Sequence, residues 1–161
     1  MLQRLATVGV VLVWLTAAAT AASAQALEKK HFNYSEWTKG RFSEAVTVTG
    51  PGKMIFLAGV GAEDENGKGG DILHKGDFMG QCQYAYDKIK RLLEKQGATL
   101  GDVAKMVTYI TDARYQPDYG KCRVEAFGAN PLPAHTLLNI SQLAWPGMMV
   151  EIDVTAVVPV K

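Results

Sequence analysis

Cysteine and histidine are scarce in this chain of 161 residues: Cys82 and Cys122 are the two cysteines, and His31, His74 and His135 are the three histidines. No C-x-x-C, H-x-H or H-E-x-x-H spacing occurs, so no metal site and no other cofactor is expected. A surplus of positive charge is also missing, with 17 Lys and Arg against 16 Asp and Glu. Nucleic-acid binders displace counterions with a basic excess, which disfavours that class of partner. The glycine-rich stretch 61–76 (GAEDENGKGGDILHKG) lacks the G-K-[ST] ending of a phosphate-cradling loop and reads as a surface loop.

Long apolar runs are equally rare, and the most conspicuous stands at the start. Residues 5–19 carry no charge and follow Arg4, and the small residues Ala22 and Ala24 fit the A-x-A pattern of a signal-peptidase site. Residues 1–24 are therefore expected to be a cleavable secretory leader, with cleavage after Ala24 or Ala26, and residues 25–161 a single domain. The run is short for a membrane span, there is no arginine pair, and no cysteine near the cleavage site could take a lipid. The expectation is a periplasmic or secreted protein with no membrane attachment after cleavage. Arg4 is the only charged residue of the leader, so the remaining domain is formally neutral.

The rest alternates strand and helix patterns. Residues 27–41 show no steady period and read as an irregular lead-in. Residues 45–49 (AVTVT) and 54–60 (MIFLAGV) are β-rich runs around Gly50-Pro51-Gly52, which predicts a hairpin. From 77 to 97, Phe78, Cys82, Ala85, Ile89, Leu92 and Leu93 recur at helical spacing, with Asp77 as a start cap and Gly97 as a stop. A strand follows at 103–111, then a helix from near Pro117 with Tyr119, Cys122, Ala126 and Phe127 on one side, then strands at 134–143 and 149–158. In the last, Val150, Ile152, Val154 and Ala156 alternate with Glu151, Asp153 and Thr155, giving one apolar and one polar face. The fold class predicted is α+β, a mixed sheet with two helices on one face. Cys82 and Cys122 both fall in helical patterns, where they are either disulfide-bonded or simply small buried hydrophobes.

The order and spacing of several motifs resemble the Rid (YjgF/RidA, reactive intermediate deaminase) family: Leu57-Ala58-Gly59 at a strand end, residues 97–112 (GATLGDVAKMVTYITD), Glu125-Ala126-Phe127, P-x-P-A at 131–134 and residues 150–157 (VEIDVTAV). The resemblance covers nearly all of residues 25–161. It implies a chorismate-mutase-like fold, a homotrimer with small-molecule clefts at its subunit interfaces, and hydrolysis of reactive imines or enamines to keto compounds and ammonia. It also implies that Glu151 orients and deprotonates the attacking water; the alternative for Glu151 is an interface hydrogen bond only.

Departures from the family pattern fall at the cleft. The P-A-R-[ST] stretch, whose arginine grips a substrate carboxylate, reads Pro133-Ala134-His135-Thr136 here. Histidine cannot make a bidentate grip and is fully charged only below its usual pKa of about 6.5, so anion binding is expected to strengthen as pH falls, and arginine at 135 to restore the grip. The family tyrosine is matched by Phe42, its thiol by Leu137 and its asparagine by Lys121, which is either a cleft cation or an exposed helix lysine. Substrate contacts are thus expected from Phe42, Gly59, Lys121, His135 and Thr136. Two functions follow: a Rid-like imine or enamine hydrolase, and a non-catalytic trimer that binds a small metabolite.

Overall fold

In the computed structural model residues 25–160 are described, so the expected leader lies outside the described residues. The apolar stripe read from the sequence forms α1, Phe78–Lys95. Its Cys82, Ala85, Tyr86, Ile89 and Leu93 are buried to 1% exposure or less, a continuous core-facing row at helical spacing. The Asp77 carboxylate accepts from the Gly80 N–H at 3.0 Å, satisfying one free donor of the first turn. Gly97, at φ +75°, turns the chain away after the last turn, a conformation that suits a residue without Cβ.

The second helix, α2, spans Gln116–Phe127 with Pro117 in its first turn, where a missing N–H costs nothing. Tyr119, Cys122 and Phe127 face the core. A disulfide joins Cys82 to Cys122 and so ties α1 to α2. Both cysteines are buried as well, but of the two readings it is the bridge that the structure shows, not a pair of free buried hydrophobes.

Among the described residues there are six strands: β1 (Glu28–Phe32), β2 (Ala45–Thr49), β3 (Gly52–Phe56), β4 (Val103–Ile110), β5 (Ala134–Asn139) and β6 (Val150–Pro159). The main sheet has the order β3-β6-β4-β5. It is mixed: β6 runs antiparallel to β3 and β4, while β4 and β5 are parallel and joined through α2. On β6, Val150, Ile152, Val154 and Ala156 are buried beneath the helices, and Glu151, Asp153 and Thr155 are half-buried on the other side. The α+β reading with two helices on a mixed sheet is therefore correct.

Two expectations are not met. β2 does not pair with β3; it pairs with β1 as a separate antiparallel ribbon, while β3 pairs with β6. The chain beyond β3 keeps following β6, with Leu57 N–H to Val154 O at 2.9 Å and Val60 N–H to Ile152 O at 3.1 Å, so the backbone edge of 54–60 is paired with the last strand. The supposed lead-in contains a strand, β1. Its sequence EKKHF hides the pattern because its inward-turned residues are polar and satisfied by tertiary bonds. Lys29 Nζ donates to Gly101 O at 2.9 Å and pairs with Asp102 at 3.3 Å, and His31 Nδ1 lies 3.0 Å from Ser43 Oγ.

Candidate functional site

The residues expected to form one site fall into two groups on opposite faces of the main sheet. β-strand alternation decides which. His135 and Leu137 pair with Met106 and Thr108, both fully buried, and so point to the helix side, while Thr136 pairs with Val107 and points away.

On the helix side, α2, β5 and the segment before β2 enclose an open cleft of about 770 Å³. Phe42, Lys121, His135 and Leu137 line it. Three cations reach it, Arg41, Lys121 and Arg123, and no carboxylate lines it. Lys121 is exposed on α2 and borders the cleft.

Arg123 was not among the expected site residues, yet it dominates the cleft's electrostatics. It is only 6% exposed, and it follows Tyr119 by one helical turn on the same side of α2. Its guanidinium lies 5.3 Å from the Tyr119 ring centroid, a cation–π contact. Nη1 is 2.7 Å from His135 Nδ1, and its Nε is buried with no hydrogen-bond partner. The signal was in the sequence: Arg123 sits four residues from both Tyr119 and Phe127, so the buried stripe of α2 contains a charge.

The contact fixes the state of His135. A guanidinium can only donate, so Nδ1 must carry the lone pair and the imidazole proton resides on Nε2. Nε2 lies 3.1 Å from Tyr119 Oη and 3.2 Å from Thr108 Oγ1, which are themselves 2.6 Å apart, and Tyr86 Oη is 3.1 Å from Tyr119 Oη. Burial, then the charges of Arg123 and Lys105, hold the His135 pKa down to about 3. The expectation that His135 becomes a cation near pH 6 is thereby corrected. Burial likewise pushes Tyr119 up, and both burial and the neighbouring Tyr119 push Tyr86 up, so this chain of hydroxyls stays protonated.

Across the sheet, Glu151 stands beside Gly59. A Cβ at Gly59 would collide with the Glu151 carboxylate, so a residue without a side chain is what lets the carboxylate lie against this backbone. Burial, then the charges of Glu63 and Asp153, raise the Glu151 pKa above the usual carboxylate range. Asp153 accepts from Tyr109 Oη at 3.2 Å, and Thr136 Oγ1 accepts from Lys105 Nζ at 2.7 Å on the same face. The arrangement offers a basic carboxylate on one face and a cationic, apolar-walled cleft on the other.

Comparison with known proteins agrees with this architecture. The sequence profile of the endoribonuclease L-PSP family matches residues 35–158. A RutC family protein of Pyrococcus abyssi is 30% identical over 118 residues, covering 73% of this chain and 86% of the relative. A protein of Acinetobacter baylyi named 3-aminoacrylate deaminase RutC is 26% identical over 117 residues, 73% of this chain and 89% of its own length. Among solved structures, the Rid-family protein YyfB of Yersinia pestis superposes with a TM-score of 0.69 at 25% identity, covering 81% of this chain and 98% of that one. The chain belongs to the endoribonuclease L-PSP family, the group of the RutC and Rid proteins.

Proposed function

We propose that this protein is a hydrolase of reactive imines or enamines, with Glu151 as its general base. The observation that carries the reading is the Glu151 carboxylate itself: half-buried, free of any ion pair among the described residues, and raised in pKa by its surroundings. A base of that kind takes a proton more readily than an exposed carboxylate does. Water adds to the C=N carbon as Glu151 accepts one of its protons and passes it to the nitrogen; Glu151 then carries the adduct's hydroxyl proton to the nitrogen as well, so that the adduct collapses to the carbonyl and the nitrogen leaves as ammonia. The family relationship to a 3-aminoacrylate deaminase points the same way.

The reading includes a homotrimer. Within one chain Glu151 and the cationic cleft lie on opposite faces, so a site using both needs a neighbouring subunit. Met54 and Phe56 on β3, 56% and 70% exposed, and Leu138 on β5 supply apolar surface for such an interface. It also includes export to an oxidising compartment, supported by the Cys82–Cys122 bridge and the leader-like residues 1–24.

One observation favours the non-catalytic binder instead: at the two cleft positions where the family carries a thiol and a phenol, this chain has Leu137 and Phe42. Imines generated in place by an amino-acid oxidase and trapped with semicarbazide separate the two. Wild-type protein is expected to accelerate imine loss and Glu151→Gln to abolish the effect. Equal inertness of both proteins overturns the hydrolase reading.

A further inference from the structure

A buried arginine without an anion is costly. Desolvating a guanidinium carries a penalty of several kcal/mol that proteins ordinarily offset with a carboxylate or leave to a ligand. Arg123 has no salt-bridge partner among the described residues, and none of the residues lining the cleft beside it is acidic. Its Nη1 is committed to His135 and its Nε has no acceptor. Nη2 makes no hydrogen bond among the described residues and is the donor left for an anionic oxygen such as that of a carboxylate.

We propose that Arg123, projecting from α2, is the anchor for the anionic end of the ligand in this cleft, that His135 is its positioning residue, and that the ligand is a carboxylate with a sizeable apolar side chain. The side-chain preference follows from the walls. Trp37, Phe42, Pro117, Val124 and Leu137 give an apolar surface around about 770 Å³, far more space than a three-carbon acid fills. His135 acts through Arg123. As a neutral acceptor at 2.7 Å it holds one arm of the guanidinium in place, and its own Nε2–H is tied back to Tyr119 and Thr108. An arginine at position 135 would instead set two guanidinium groups against each other, so that substitution is expected to weaken carboxylate binding.

The proposal rests on the hydrolase reading only for the group that reacts; carboxylate binding is measured without turnover. Calorimetry with 3-phenylpropanoate and its neutral amide, 3-phenylpropanamide, provides the test on the intact protein. The acid is expected to bind and the amide to bind at least ten-fold more weakly. Arg123→Gln should erase the difference between the two, while Arg91→Gln, a charge change far from the cleft, should leave it intact. For His135, leucine should weaken acid binding and glutamine, whose carbonyl can still accept from Arg123, should restore most of it.

A further readout uses wild-type protein alone and so survives any variant that fails to fold. The groups facing the anchor are His135 on β5, Tyr119 and Lys121 on α2, Tyr86 on α1 and Arg41 before β2, while Lys105 on the other face of β4 adds its charge at His135. Acid binding should be flat between pH 6 and 8.5. Strengthening toward pH 6 would assign the anchor to His135 and overturn the proposal, as would equal affinity for acid and amide or no binding of either. Binding that depends on Arg123 in a protein without imine turnover sinks the hydrolase reading alone. Turnover without Arg123-dependent binding sinks this one.

Discussion

At Glu151, burial and the charges of Glu63 and Asp153 all act against ionisation. A carboxyl whose folded pKa is raised contributes stability below its unfolded pKa and loses it as pH rises through the folded value. Glu151→Gln is therefore expected to raise the melting temperature at pH 8, with little change at pH 4, while removing hydrolysis. Thermal unfolding at both pH values checks this; a variant less stable than wild type at pH 8 would contradict the strained-carboxylate account. His135 has the opposite sign. Its folded pKa of about 3 lies below the usual 6.5, so the stability it contributes is present above 6.5 and is lost as pH falls toward 3. The loss amounts to about 1.4 kcal/mol per pH unit. Replacing it by glutamine should flatten that part of the decline between pH 6 and 4, read as a smaller pH slope in urea unfolding than wild type shows.

The helices carry the most stable link between elements. The Cys82–Cys122 bridge closes a loop with a sequence separation of 40, worth about 3–4 kcal/mol by constraining the unfolded chain. Reduction, or the double substitution to alanine, should lower the unfolding midpoint accordingly. An unchanged midpoint under strong reductant would mean that the bridge does not form in solution. These elements were also the most legible in the sequence, because α1 and β6 have clean periods and one apolar face each. β1 and the pairing of β2 were not. A strand such as EKKHF, whose inward residues make polar tertiary bonds, has no hydrophobic alternation to read, and the Gly50-Pro51-Gly52 turn says that the chain bends without saying which strand it then joins. The site was legible on the same terms. Glu151 and Gly59 were recognisable from motif and alternation, but the charge state of His135 depends on its burial and then on Arg123, twelve residues away and brought to it by the α2 crossover.

At the scale of the whole molecule, the separation of Glu151 from the Arg123 cleft makes a claim about assembly. If each active site combines Glu151 of one subunit with the cleft of its neighbour, two different inactive variants can complement each other. Glu151→Gln supplies intact clefts and Arg123→Gln supplies intact bases. Co-expressed under two affinity tags and purified through both, they form mixed trimers. Purification through both tags leaves only two-to-one and one-to-two trimers, and in each of these roughly a third of the interfaces pair an intact Glu151 with an intact Arg123. Imine hydrolysis should then return to roughly a third of the wild-type rate, although each variant alone is inactive. The same measurement on a mixture of separately purified homotrimers should give no recovery until subunits exchange. If doubly tagged material forms and stays inactive, base and anchor do not meet across an interface, and the shared-site architecture is wrong. A monomer mass by light scattering at micromolar concentration would remove the trimer itself.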